Sequence, residues 1–175
     1  MADELSASSV ESAKITIEKN SDPNAPHKGG YVLRADCVVP ESIERVFDYF
    51  SDAGNLEALT PPYLNFNIVT PLPIEMRQGA IIDYRLRLRG LHIKWKTEIA
   101  AWEPNRRFVD RALRSPYHWW HHEHLFEETE LGTRVIDIVH YAVPGGALIH
   151  NLLVKRDVKH IFEYRQDQLA SVFPS

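Results

Sequence analysis

Apolar and polar residues alternate through most of the chain. Leu33, Ala35, Cys37 and Val39 interleave with Val32, Arg34, Asp36 and Val38, the period of two expected of a half-buried strand. Pro40 ends that run. Ser42 is a good N-cap for a helix whose apolar face is Ile43, Val46, Phe47 and Phe50. Residues 52–55 interrupt it, a second short helix is predicted over 55–59, and Pro61-Pro62 stops the chain from continuing. Strands are then predicted over 63–70, 80–89, 91–102, 107–113, 117–127 and 133–143, separated by Pro, Gly and Asn turns. In 80–89, Ile82, Tyr84, Leu86 and Leu88 share one face and Asp83, Arg85, Arg87 and Arg89 the other. In 91–102, Ile93, Trp95, Thr97 and Ile99 oppose Lys94, Lys96 and Glu98.

The period changes at residue 147. From there to 173 the chain has neither Pro nor Gly. Leu148, Leu152, Val158, Ile161, Phe162, Leu169 and Val172 recur near every 3.6 residues, which predicts one long amphipathic helix. The fold class is therefore α+β: a seven-stranded antiparallel sheet around a long C-terminal helix, with two short helices after the first strand. One helix cannot fill a wide curved sheet, so a cavity between them is expected, and such cavities hold ligands. Residues 1–28 read as an N-terminal tail able to supply one short edge strand over 14–19. Residues 29–175 read as a single domain.

Composition narrows the function classes. With 24 acidic against 20 basic side chains the net charge is −4, which argues against nucleic acid as a partner. One cysteine, Cys37, allows neither an internal disulfide nor a cysteine-based zinc site, and its phase buries it. No apolar run approaches the ~20 residues of a membrane span, so no stable membrane insertion is expected. The acidic, Ser/Ala-rich start is no secretory signal, and the expected location is the cytoplasm. The basic stripe Arg85, Arg87, Arg89, Lys94 and Lys96 reads as the solvated face of a hairpin. No phosphate loop, GxSxG, HExxH or GxGxxG motif is present.

Several stretches together resemble a known family. They are Asn55-Leu56 with Leu59-Thr60-Pro61-Pro62, then Tyr84-Arg85-Leu86-Arg87-Leu88, Trp95, and Phe108 with Asp110. After these come the run from Tyr117 to His124 with Phe126, Gly132-Thr133 with Asp137 and Tyr141, and Phe162 with Tyr164-Arg165. This pattern resembles the Bet v 1-like, START-related (SRPBCC) superfamily. More narrowly it is similar to a bacterial polyketide cyclase/ligand-binding-like subgroup sometimes labelled cell division inhibitor and sometimes fused to an epimerase-like domain. The resemblance implies a helix-grip fold over residues 29–175, a stand-alone copy, and a hydrophobic or amphipathic small molecule as partner. The superfamily holds both carriers and cyclases, so the fold leaves the activity open.

The candidate site follows from phase and from those motif residues. On a strand, His118, Trp120, His122, His124 and Phe126 share one face, with the Trp120 and Phe126 face the better candidate for the cavity. Tyr84, Trp95, Trp120 and Phe162 are expected to line the cavity, with Phe108, Tyr141, His122, His124 and Arg165 completing the ligand-binding set. His122 and His124 carry three readings. They are packed polar residues at the cavity's end, an acid–base pair working with Asp110 or Asp137, or metal ligands with one of those aspartates. The packed reading is preferred. Neither a metal nor any other cofactor is predicted, because the aspartates have simpler duties. Asp137 lies in phase with Val135 and Val139, and Arg165 on the buried helix stripe, so an ion pair between them is expected. The function expected is binding or carriage of a hydrophobic molecule. One alternative is a cyclase or dehydratase using His122 or His124 with Asp110 or Asp137, and a second is a regulatory domain with a protein partner.

Overall fold

A computed structural model of the protein describes residues 14–174; the first half of the expected tail, 1–13, lies outside them. The strands are β1 (Lys14–Lys19), β2 (Tyr31–Val39), β3 (Asn67–Ile68), β4 (Ile81–Leu88), β5 (Leu91–Glu103), β6 (Arg107–Arg114), β7 (Trp119–Thr129) and β8 (Gly132–Ala142). They form one antiparallel sheet in the order β1-β2-β8-β7-β6-β5-β4-β3. The sheet thus has eight strands, not seven. The additional one is β1, whose Ile15 and Ile17 stand opposite Ala35 and Leu33 and extend the sheet beyond β2.

Helix α1 (Ile43–Ser51) starts at Ser42, whose hydroxyl accepts from the Arg45 amide at 3.4 Å. The expected second helix over 55–59 is a short 3-10 turn, Ala53–Leu56, closed by Asp52 accepting from the Gly54 amide. The expected strand over 63–70 shrinks to the two residues of β3. Pro61 and Pro62 open another 3-10 turn, Pro62–Leu64, and Asn65 then takes a left-handed conformation (φ 45°) that no strand tolerates.

The C-terminal helix is built of α2 (Gly146–Ile149), a π-type turn (His150–Val154) and α3 (Lys155–Val172). That wider turn resets the phase. Leu148 is 74 % and Leu152 70 % exposed, against the expectation that both join the buried stripe. His150 points inward instead, stacked on Tyr31 with ring centres 3.3 Å apart and hydrogen-bonded to the Tyr141 hydroxyl at 3.0 Å. Val172, the last residue of α3, is also exposed, and Phe173 just beyond it is buried instead.

Three apolar clusters frame the interior. Val158 and Phe162 of α3 pack with Leu33, Val139 and Tyr141. Leu169 and Phe173 meet Phe47 and Phe50 of α1 with Phe108, Phe126 and Val135. Ala53, Ala80, Ile82 and Ile99 form the third, beneath the segment that follows α1. No helix among the described residues is long and apolar enough to cross a membrane.

Candidate functional site: a cavity with a charged end

Between the three clusters lies a cavity of about 190 Å³. Its apolar wall comes from the inner faces of β4, β5 and β7 and from α3: Tyr84, Leu86, Leu88, Trp95, Trp120 and Phe162. The polar atoms in this wall are satisfied locally. Thr97 stands 3.1 Å from both the Tyr84 hydroxyl and the Trp95 indole nitrogen, which donates to it. Tyr84 and Trp95 stack nearly parallel, and Trp120 meets Trp95 edge-on. Burial pushes the Tyr84 and Tyr117 phenols above their ordinary range, so both are neutral donors.

At one end the register of three neighbouring strands assembles a charged cluster. Asp110 on β6 stands opposite His122 on β7, and His124 opposite Asp137 on β8. Each ring lies between the two carboxylates. His122 Nε2 is 2.9 Å from Asp137 Oδ1 and its Nδ1 is 3.3 Å from Asp110 Oδ2. His124 Nε2 is 2.9 Å from Asp110 Oδ2 and its Nδ1 is 3.0 Å from Asp137 Oδ1. The rings are 3.8 Å apart centre to centre, and His124 lies flat on Phe108 at 4.0 Å. Arg165 reaches in from α3 with Nη2 3.2 Å from His124 Nδ1 and Nε 3.5 Å from Asp137 Oδ2, its guanidinium over Phe50.

Charge balance governs the protons here. Two carboxylates and one guanidinium leave one negative charge. Burial pulls the His122 imidazole down, but Asp110 and Asp137 outweigh it and raise its pKa. Burial and the neighbouring His122 charge together lower His124. Burial would raise both carboxyls. His122 and His124 nevertheless hold Asp110 below the usual range, and Arg165 with both histidines holds Asp137 well below it.

The structure places the sequence-derived candidates unequally. Tyr84, Trp95, Phe108, Asp110, Trp120, His122, His124, Phe162 and Arg165 line the cavity. Tyr141 does not: it is fully buried next to Trp120 and Tyr117 of the wall, against Tyr31 and His150. Asp137 is also behind the wall, screened by the two rings. The facing of 117 and 118 is reversed from the expectation, because β7 begins only at Trp119 and counting by twos fails before it. Tyr117 lines the cavity and His118 is exposed. Asn55, Leu56, Leu59 and Thr60 line it too, from a motif that carried no site role in the sequence, while Tyr49, Leu64, Phe66 and Asp157 join the wall unannounced by any motif, and Leu86 and Leu88 share the phase of Tyr84. At the rim, Arg89 leaves the solvated stripe. Its left-handed turn (φ 49°) aims the guanidinium at α3, where it grips Asp157 through two 3.0 Å hydrogen bonds.

No family model and no curated protein matches the sequence. Solved structures do. Protein CV1439 from Chromobacterium violaceum is 14 % identical, with a TM-score of 0.66 over 82 % of this chain and 98 % of that one. Protein Ms6760 from Mycobacterium smegmatis is 16 % identical, with a TM-score of 0.62 over 91 % and 97 %. Ara h 8.0201, a Bet v 1 homologue, is 14 % identical, with a TM-score of 0.55 over 80 % and 97 %. At such identities the likeness is one of architecture: the chain has the antiparallel sheet and long C-terminal helix of a Bet v 1-like, helix-grip fold.

Proposed function

We propose that this protein binds a hydrophobic or amphipathic small molecule between the sheet and the long helix. The apolar body would lie against Trp95, Trp120, Tyr84 and Phe162, and its polar end would face Asp110, His122, His124 and Arg165. The observation that carries this reading is a cavity with an aromatic wall and a convergent polar end. Its volume exceeds the ~150 Å³ that accommodates benzene in an apolar protein cavity, so it admits a guest larger than a single ring. The resemblance to the polyketide cyclase/ligand-binding-like subgroup agrees with it. A second reading is favoured by one specific feature. His122, His124 and Asp110 face the cavity and are hydrogen-bonded, the arrangement an acid–base enzyme of the cyclase or dehydratase kind needs.

Titration with anilinonaphthalene sulfonate and a dansylated short-chain fatty acid, read by tryptophan quenching, tests the binding. The expected result is saturable quenching at one probe per chain. Unchanged emission with both probes, together with no co-purified small molecule in native mass spectrometry, would remove the reading.

A further inference from the structure

The charged end of the cavity has a sidedness that packing alone does not require. The two nitrogens turned toward the cavity, His122 Nδ1 and His124 Nε2, converge on one oxygen, Asp110 Oδ2, at 3.3 and 2.9 Å. The two turned away converge on Asp137 Oδ1, at 2.9 and 3.0 Å. Asp110, His122 and His124 line the cavity, whereas Asp137 does not. A metal ion with bonds of about 2.1 Å sets its donors about 3.0 Å apart at right angles and about 3.4 Å apart at the tetrahedral angle. The Asp110–His122 and Asp110–His124 separations match those edges, and one donor atom from each of the three lies within 4.8 Å of the others.

A second observation points the same way. Hydrogen bonding leaves the cluster in conflict. His124 Nδ1 faces both a donor, Arg165 Nη2, and an acceptor, Asp137 Oδ1, and no single proton placement serves both. Arg165 Nε is buried with no hydrogen-bond acceptor. An ion on His124 Nε2 would fix the ring proton on Nδ1 and direct it to Asp137. Arg165 would then be free to close its 3.5 Å gap to the other oxygen of that carboxylate.

We propose that Asp110, His122 and His124 bind one divalent first-row transition metal ion, with Asp137 as the outer partner that accepts the remaining N–H of both imidazoles. Two imidazoles and one carboxylate suit zinc, iron(II) or cobalt(II) rather than the all-oxygen cations magnesium and calcium. A carboxylate on the outer ring nitrogen orients the imidazole and raises its basicity. Three protein donors leave coordination positions open toward the cavity, which fits a bound molecule ending in a carboxylate, phenolate or enolate oxygen. The identity of that molecule rests on the cavity-binding reading; the metal site does not. The two aspartates take distinct positions, Asp110 beside the cavity and Asp137 behind it, so Asp110 offers a donor oxygen that the phase of the strands alone does not reveal.

The test is cobalt(II) titration of the chelator-treated full-length protein, followed by visible absorption. One cobalt(II) per chain with a d–d band, displaced by zinc(II), is expected. Asp110→Asn and His122→Ala, checked for folding by circular dichroism, should each abolish the band. Asp137→Asn should keep the band while weakening affinity about 10- to 100-fold; a purely structural aspartate would not affect the affinity of a correctly folded variant. No band in the wild type, or an unchanged band in both Asp110→Asn and His122→Ala, would overturn the proposal. Anilinonaphthalene sulfonate binding measured on the same metal-free sample separates the two readings. Probe binding without cobalt uptake sinks the metal alone; cobalt uptake with neither probe bound and no co-purified molecule sinks the cavity reading alone.

Discussion

The two halves of the sheet treat the long helix differently. On the β2–β8 side, Leu33, Val139 and Tyr141 have no exposed surface, Val135 has 1 %, and Val158 and Phe162 of α3 press directly onto this face. On the β4 side, Tyr84, Leu86 and Leu88 carry the same inward phase but remain half-buried, because they face the cavity rather than packed side chains. A sheet wider than the helix it grips gives one half to packing and the other to space. The charged cluster lies on the seam, on β6, β7 and β8, where a side chain can be held rigidly and still meet the cavity. Packing and open space are thus assigned to different strands of one sheet.

Three substitutions and one labelling measurement probe that division, from the largest effect to the smallest. At the seam, Arg165→Ala should cost about 3–5 kcal/mol in urea denaturation, because it strips Asp137 of the cation that compensates its buried charge. A loss below about 1 kcal/mol would mean that the cluster contributes nothing to the hold between helix and sheet. Across the halves, Leu33→Ala should cost about 2–5 kcal/mol with probe binding intact. Leu86→Trp, which fills space on the open side, should shift stability by no more than about 1 kcal/mol yet suppress probe binding. If both variants moved the same observable, the halves would not be separate.

The smallest effect concerns Cys37, on the packed side. Burial and then the nearby Asp137 push its thiol up to about 12. A raised thiol contributes stability that is complete below its ordinary value of about 8.5 and is lost as pH rises toward the folded value. Ellman's reagent at about pH 8 should therefore label Cys37 only as fast as the protein unfolds. Rapid labelling of the native protein would place the thiol in reach of solvent.

Much of this arrangement was legible in the chain, for reasons that can be named. Asp110, His122, His124 and Asp137 come together because β6, β7 and β8 pair without slippage across those residues, so counting by twos holds. The register shifts lie elsewhere, between Lys96 and Thr97 and between Ile99 and Ala101 of β5. Counting failed where local geometry changed without a Pro or Gly to mark it. Nothing in the run from Ala147 to Val154 signals a π-type turn, so Leu148 and Leu152 were assigned inward on a 3.6 period that the backbone does not keep. Tyr141 belongs to a motif but packs behind the cavity, since strand phase decides which face a side chain takes, not what stands in front of it. The Arg89–Asp157 contact joins residues 68 positions apart, and no period relates them.

That rim contact also sets a timescale. An ion pair with side chains 48 % and 25 % exposed contributes about 0–1 kcal/mol, on the order of thermal energy. It breaks and re-forms as quickly as surface loops move, in roughly nanoseconds to microseconds. For a guest of the proposed kind, departure would therefore not be paced by the rim. It would be paced by the return of the guest's own apolar surface to water, about 0.8 kcal/mol for each methylene, or roughly a fourfold longer stay per carbon added. Within a series of such guests, dwell time would count carbons, and the Arg89–Asp157 pair would open and close many times before any of them left.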